Sequence, residues 1–147
     1  MLAQPVVPVT SVRLVAALTA MAPEVHSSTR GAHLVEIGGE LIRVEHRPDR
    51  PFALLMSTRW RRRLPVDHGR KLRELVDELN RDGILRTTVS VTDRGELDVR
   101  IALTHVVAAG ASDDQLTGWL RRGGEALLAA LQRLDHDFPE PPFVKED

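Results

Sequence analysis

The chain contains no cysteine. This absence excludes disulfides, thiolate metal ligands and cysteine nucleophiles, and it fits the reducing environment of the cytoplasm. Tyrosine is also missing and aromatic residues make up only 3% of the 147 residues, so few rings are present to stack on nucleic-acid bases. The net charge of −1 provides no overall attraction to nucleic acid or to an acidic membrane. Electrostatic steering must therefore come from a local cluster of charge.

Long hydrophobic runs are missing as well. The longest run near the N-terminus, residues 12–22, includes Arg13 and is too short to span a bilayer or to match a signal peptide. Hydrophobic residues still make up 42% of the chain, which is enough for one core at this length. We therefore expect a cytoplasmic protein with one domain at residues 11–138, a flexible segment at 1–10 and a flexible, proline-rich tail at 139–147.

Hydrophobic periodicity in the first half of the chain predicts one helix and then three strands. The helix is expected to begin after Thr10 or Ser11 as a cap and to end before Pro23. Gly38-Gly39 lies between two alternating segments and predicts a two-residue hairpin turn. The alternation from Phe52 to Trp60 predicts the third strand.

The second half predicts a helix, a hairpin and a long helix. Pro65 can open the first of these helices, because its missing N–H would have no partner there. Alternating apolar residues across 85–103, interrupted by a turn, predict two antiparallel strands. Ser112 and Gln115 have the spacing of a capping box, which begins a helix that we expect to reach about Phe138.

The predicted fold is therefore α+β with the order α-β-β-β-α-β-β-α, a five-stranded antiparallel sheet and helices packed mainly on one face. Gly123-Gly124 lies in the middle of the last helix. Each glycine should cost about 1 kcal/mol relative to alanine at an interior helical position. The pair therefore predicts either a kink or close contact between the helix backbone and a sheet or partner helix.

Four segments of the chain resemble the YbjN-domain proteins of bacteria. They are Trp60–Pro65, Glu78–Arg81, Gly110–Leu116 and Phe138–Pro139, and their order and spacing match more closely than any single motif. The resemblance implies a fold similar to that of type III secretion chaperones, which are commonly dimers that bind extended segments of client proteins. The family's provisional label, sensory transduction regulator, implies regulation and names no chemistry.

The chain departs from the pattern of that family at two places. Leu79 stands where many members have tryptophan, and Ile84-Leu85-Arg86 stands where many open a strand with a proline-lysine pair. If the missing pair contributes to a binding surface in the family, that surface is altered in this chain.

We assign no catalytic residue, metal site or cofactor. The six histidines show no His-x-His or His-Glu-x-x-His spacing, and His105 is interpreted as a half-buried structural residue. Ser57 and Ser112 lie outside a Gly-x-Ser-x-Gly motif. Strand carboxylates such as Glu36 and Asp98 are interpreted as solvent-facing side chains.

Four arginines surround Trp60 and form the positive cluster that supports the sharpest functional hypothesis. They are Arg59, Arg61, Arg62 and Arg63. Such a cluster could bind a nucleic-acid backbone while the ring stacks on a base. In a strand, however, the side chain of Arg62 lies on the opposite face from those of Arg59 and Arg61. Trp60 has the character of a core residue.

The sequence therefore favours a non-enzymatic protein-binding module, chaperone-like or regulatory, that forms a homodimer. It would bind a protein segment on the open sheet surface or in a groove between sheet and helices. We expect Arg59, Arg61, Arg63 and Arg86 to steer the partner and Trp119 to act as an exposed apolar anchor. Two alternatives remain: nucleic-acid binding by the Arg59–Arg63 cluster, and an enzyme whose pocket would hold a strongly perturbed acid or histidine.

Overall fold

The computed structural model describes residues 4–28, 30–47 and 49–139. In chain order the elements are α1 (Ser11–Met21), β1 (Val25–Ser27), β2 (Ala32–Ile37), β3 (Glu40–Glu45), β4 (Ala53–Arg59), β5 (Leu64–Pro65), a 3-10 turn (Val66–His68), α2 (Gly69–Leu79), β6 (Arg86–Val91), β7 (Glu96–Val106) and α3 (Asp113–Asp137). The predicted count of five strands is corrected to seven. The two additional strands, β1 and β5, have three and two residues, too few for alternation to predict them.

All seven strands belong to one antiparallel sheet. The order β1-β2-β3-β4-β7 runs across it, and β7 pairs with β4 and β5 along one edge and with β6 along the other. Ala102 of β7 accordingly lies opposite Ser57 of β4 and Arg86 of β6 at the same time. The short strand β1 and the strand β6 are therefore the two outer strands of the sheet.

The core lies on one face of the sheet, under the three helices. The side chains that this face contributes from the central strands are Val35, Ile42, Val44, Leu54, Met56, Val99, Ile101 and Leu103, each at most 4% exposed. Helices α1, α2 and α3 all contribute buried leucines to the same cluster. No helix of the described residues is long and apolar enough to cross a membrane. The opposite face of the sheet is left without a covering helix in the described part of the chain.

The predicted turns and caps agree with the structure. Gly38 and Gly39 have φ angles of 59° and 83°, the left-handed values that a two-residue hairpin of type I′ needs. Ser112 Oγ accepts from the Gln115 N–H at 3.1 Å, and Gln115 Oε1 accepts from the Ser112 N–H at 2.8 Å. The capping box is thereby confirmed, and α3 begins where the sequence predicts.

Pro65 does not open a helix, in contrast to the prediction. Its φ of −58° is compatible with a helix, but its ψ of 151° is extended, and Pro65 pairs with Glu96 at the end of β5. The proline ring fixes φ alone, so the pairing with β7 decides the conformation. The chain then makes the 3-10 turn Val66–His68 and enters α2 at Gly69.

The segment before α1 contacts the start of α3. Val7 and Ala111 exchange two backbone hydrogen bonds of 3.3 and 2.9 Å. The domain boundaries, and the flexibility of residues 1–10 and 139–147, stay predictions. Of these two terminal segments, residues 1–3 and 140–147 lie outside the described part of the chain.

Gly123 and Gly124 place α3 against the sheet, and close contact rather than a kink explains them. A Cβ built on Gly123 would overlap Met56 Sδ of β4 and lie 3.2 Å from His105 Nε2 of β7. A Cβ on Gly124 would lie 3.4 Å from Ile37 Cδ1, an ordinary contact distance. The first glycine is therefore needed for the approach of helix to sheet, and the second is not.

We predict opposite effects of alanine at these two neighbouring positions. Gly124→Ala should raise the free energy of unfolding by up to about 1 kcal/mol, because alanine favours helix. Gly123→Ala should lower it by up to about 2 kcal/mol, because overpacking a core costs about 1–3 kcal/mol and exceeds the helical gain. Urea denaturation of both variants measures the difference. Equal stabilisation by the two substitutions would contradict the assignment.

Asn80, at the C-terminal end of α2, covers part of the outer edge of β6. Its side-chain oxygen accepts from the Thr87 N–H at 2.7 Å, and its side-chain NH₂ donates to the Thr87 carbonyl at 3.0 Å. The amide thus replaces the missing neighbouring strand at this residue. Asn80 is the asparagine of the second segment that resembles YbjN-domain proteins, and its side chain joins α2 to the sheet.

We predict that Asn80→Ala lowers the free energy of unfolding by about 1–3 kcal/mol, because both Thr87 backbone groups lose their partner in a buried position. Asn80→Asp should also destabilise, since a carboxylate accepts from the N–H but faces the Thr87 carbonyl without a donor. Urea denaturation above pH 6 measures both effects. An Asn80→Asp variant as stable as the parent protein would show that the donated hydrogen bond contributes nothing.

Candidate functional site

The uncovered face of the sheet has small side chains at its centre and arginines around them. Arg43, Ser57, Ala102 and Arg86 lie opposite one another on four neighbouring strands, β3, β4, β7 and β6. In the next row, Arg59 of β4 lies directly opposite Arg100 of β7. The four arginines of these two rows, Arg43, Arg59, Arg86 and Arg100, are called the arginine frame below.

A groove of about 510 Å³ runs over this face. Arg43, Arg59 and Arg100 of the arginine frame line it together with Arg61, and Ser57 forms part of its floor. Leu34 and Leu41 also line the groove and are 37% and 58% exposed. The groove therefore combines four guanidinium groups with an apolar side and one carboxylate, that of Glu40, which lies 3.9 Å from Arg61.

Asp98 lies buried beneath two of the predicted binding arginines. Its carboxylate is 3.2 Å from the Arg59 guanidinium and 4.0 Å from that of Arg63, and its side chain is 7% exposed. The interpretation of Asp98 as a solvent-facing side chain is therefore wrong. A buried carboxylate needs a cationic partner, so Asp98 holds Arg59 and Arg63 over this end of the face.

The remaining arginines of the face are less firmly held. Arg61 is 63% exposed and lies 3.9 Å from both Glu40 and Asp135, a distance at which an exposed ion pair contributes little. Arg86 and Arg100 are exposed, and no carboxylate of the described residues lies within 4.0 Å of either. These arginines are therefore available to an anionic partner.

Trp60 and Arg62 take no part in the groove. The Trp60 ring is 2% exposed, and its Nε1–H donates to Asp135 at 2.8 Å. Arg62 lies 5.1 Å from the centre of that ring and donates to the Phe138 carbonyl. The predicted separation of Arg62 from Arg59 and Arg61 is confirmed, and so is Trp60 as a core residue. Trp60 has no exposed ring face on which a base could stack.

Trp119 lies on the helix-covered side of the sheet, away from the arginines. Its ring is half-buried against the core and stacks on His105, with centroids 5.9 Å apart and an interplanar angle of 16°. It is therefore not the exposed anchor that we expected. The structure brings Arg59, Arg61, Arg63 and Arg86 to one face and separates Trp119 from them.

Two histidines have lowered pKa values, and both lie on the core side. Burial lowers the pKa of His33, and the nearby His46 lowers it further. His33 Nδ1 is 2.7 Å from Ser27 Oγ. Burial also lowers the pKa of His105, which is half-buried as predicted. Neither histidine lines the groove. In residues 4–139, apart from 29 and 48, no three His, Asp or Glu side chains are close enough to share a metal ion.

The comparisons with known proteins concern the fold. The sequence matches no protein-family profile and no curated protein. The structure is similar to the crystal structure of YbjN from E. coli, a provisional transcription regulator, with a TM-score of 0.70, 11% identity and coverage of 90% of this chain and 96% of YbjN. The chain has the fold of YbjN. The resemblance to YbjN-domain proteins stated above is thereby confirmed at the level of the fold.

A second solved structure resembles the chain more distantly. It is the type III secretion chaperone SycH from Yersinia pestis in complex with a stable fragment of YscM2, with a TM-score of 0.41 and 13% identity. The match covers 86% of this chain and 95% of SycH.

We predict that the protein loses stability as pH falls below about 6.5, the ordinary pKa of histidine. The unfolded chain takes up a proton at His33 in this range while the folded chain does so only at lower pH, so protonation favours unfolding. The contribution of one such proton is at most about 1.4 kcal/mol per pH unit. Unfolding free energies measured between pH 7.5 and 5 should therefore decrease, and His33→Asn should reduce the slope.

The matched control for this prediction is His26→Asn. The His26 side chain is 73% exposed, so this variant removes a histidine from the surface and leaves the buried imidazole of His33 in place. A slope that stays the same in His33→Asn would contradict the role of His33.

Proposed function

We propose that the chain is a non-enzymatic protein-binding module, chaperone-like or regulatory, of the bacterial cytoplasm. It binds a segment of a partner protein on the uncovered face of the sheet. The observation that supports this proposal is the groove above Ser57, which has a low floor, exposed arginines and an apolar side at Leu41. The regulatory or chaperone-like role follows from the resemblance to YbjN-domain proteins.

The chemistry of the groove favours binding over catalysis. Arginine remains protonated at all physiological pH values and offers five N–H donors in a fixed geometry. Such groups hold and orient an anion but exchange protons poorly. The two histidines with shifted pKa values lie on the other side of the sheet.

Nucleic-acid binding, the alternative function, is still supported by the exposed arginines but not by an aromatic ring. Exposed Arg61, Arg86 and Arg100 could contact phosphates. The ring that was expected to stack on a base, Trp60, is enclosed in the core, and nonspecific single-strand binding usually combines charge with such rings. We therefore favour a protein partner.

A homodimer remains part of the proposal. The outer strand β6 has two exposed apolar residues, Val89 and Val91, which are 39% and 65% exposed. Asn80 occupies the edge at Thr87, and the described residues place no strand beside the rest of β6, whose backbone groups could pair with a second strand.

Ala102→Phe tests the proposed binding face. Ala102 lies beside Ser57 in the centre of the face, and phenylalanine suits a strand while filling the space above the floor. We expect proteins cross-linked to the tagged parent chain in the source cell to be lost from Ala102→Phe, as measured by quantitative mass spectrometry. The far-ultraviolet circular dichroism spectrum of the variant should match that of the parent.

The matched control is Ala129→Phe. Ala129 is an exposed residue of α3, on the helix-covered side of the protein, so this variant adds the same bulk at a distance from the groove. The proteins that cross-link to this variant should be the same as those that cross-link to the parent chain. The same set of proteins with all three chains would overturn the assignment of the face.

A further inference from the structure

We propose that the segment bound by this face is an acidic, extended stretch of a partner protein. Its carboxylates occupy alternate positions and contact the arginine frame, and its apolar residues lie on Leu34 and Leu41. This inference rests on the proposed function and adds the chemistry of the partner.

The charge of the face favours an anionic occupant. Arg43 pairs with Glu45, and Arg59 pairs with Asp98. The Asp98 carboxylate is shared, however, because it also lies 4.0 Å from Arg63. Arg86 and Arg100 have no carboxylate within 4.0 Å in the described residues. The frame therefore keeps positive charge after its internal ion pairs are counted.

The position of Arg100 supports the same conclusion. Arg100 lies directly opposite Arg59 on the neighbouring strand, and like charges in this arrangement destabilise a sheet. Asp98 offsets the charge of Arg59 from one side only. A carboxylate placed between Arg59 and Arg100 would relieve the repulsion and accept hydrogen bonds from both guanidinium groups.

The spacing of the frame fits a strand. Arg43 and Arg59 are diagonal neighbours across the β3–β4 pair, and Arg86 and Arg100 are diagonal neighbours across the β6–β7 pair. Diagonal positions are about 7–8 Å apart, and alternate side chains of an extended segment are about 6.6 Å apart. Carboxylates at every second residue would therefore meet Arg43, then the Arg59–Arg100 pair, then Arg86.

The floor and the side of the groove complete the fit. Ser57 and Ala102 are small, so the backbone of a segment can lie close to the sheet. Leu34 of β2 and Leu41 of β3, 37% and 58% exposed, stand on the side of the face away from Arg86, because β4 and β7 lie between β3 and β6. Apolar residues of the segment would cover them.

The test uses a fluorescein-labelled peptide in which glutamate alternates with threonine and two leucines stand at one end. Fluorescence anisotropy measures its binding to the parent protein. We expect saturable binding that weakens as salt is raised, and a loss of about tenfold or more when glutamine replaces the glutamates, since hydrogen bonds between ionised groups are about twice as strong as those between neutral groups.

The protein variant for this test is the double substitution Arg86→Gln and Arg100→Gln. Neither side chain has an ion-pair partner among the described residues, so the fold should be as stable as that of the parent protein, and Arg100→Gln removes a like-charge pair. Affinity for the glutamate peptide should fall about tenfold, and affinity for the glutamine peptide should not change. The double variant of Arg121 and Arg122 to glutamine, two exposed residues of α3, is the matched control and should bind as the parent does.

The outcomes separate this inference from the proposed function. If the glutamine peptide binds as tightly as the glutamate peptide, and Ala102→Phe abolishes both, the face binds segments without regard to charge and the inference is overturned while the proposed function stands. Absence of binding by the glutamate peptide overturns the inference as well. A third outcome is that oligothymidylate binds more tightly than the glutamate peptide and that the double variant loses this binding. This result would overturn the inference in favour of a nucleic-acid partner.

Discussion

The pairing of β4 with β7 is the interaction on which the rest of the structure depends. Seven consecutive residue pairs join these two central strands. The side chains of successive pairs lie on opposite faces of the sheet. Met56 and Leu103 face the helices and form the centre of the core, whereas Ser57 and Ala102 face outward at the centre of the uncovered face. A shift of this register by one residue would exchange the two faces, so the core and the uncovered face are determined together.

The two faces of the sheet differ in what their side chains contact. On the covered face, Gly123 lets α3 approach Met56 closely, and the core gains its stability from close packing. On the uncovered face, Asp98 is buried beneath Arg59 and Arg63, while Arg100 lies opposite Arg59 without an ion-pair partner in the described residues. A face built for stability alone would not place two arginines opposite each other, and this is the physical basis for proposing an acidic partner.

The elements with strong local signals could be predicted from the sequence, and those that depend on distant residues could not. Gly38-Gly39 and the Ser112–Gln115 capping box are determined by neighbours, and both are confirmed. Pro65 was assigned to a helix because its ring suits a first turn, but pairing with β7 made it the end of β5. Of the arginine frame, Arg59 and Arg86 were predicted, but Arg43 and Arg100 were not, because only the pairing of strands places them on this face. Asp98 was misjudged, because alternation shows on which face a side chain lies but not what covers it.

The sequence by itself determined the class of fold, the principal helices and strands and the presence of exposed arginines, because periodicity and capping act within a few residues. The tertiary structure decided which of these arginines share a face, since this depends on the pairing of strands that are more than forty residues apart, as Arg59 and Arg100 are. It also placed Trp119 on the covered side against His105. Cross-strand register and the direction from which helices cover a sheet are properties of the folded chain, and they turn scattered arginines into one surface.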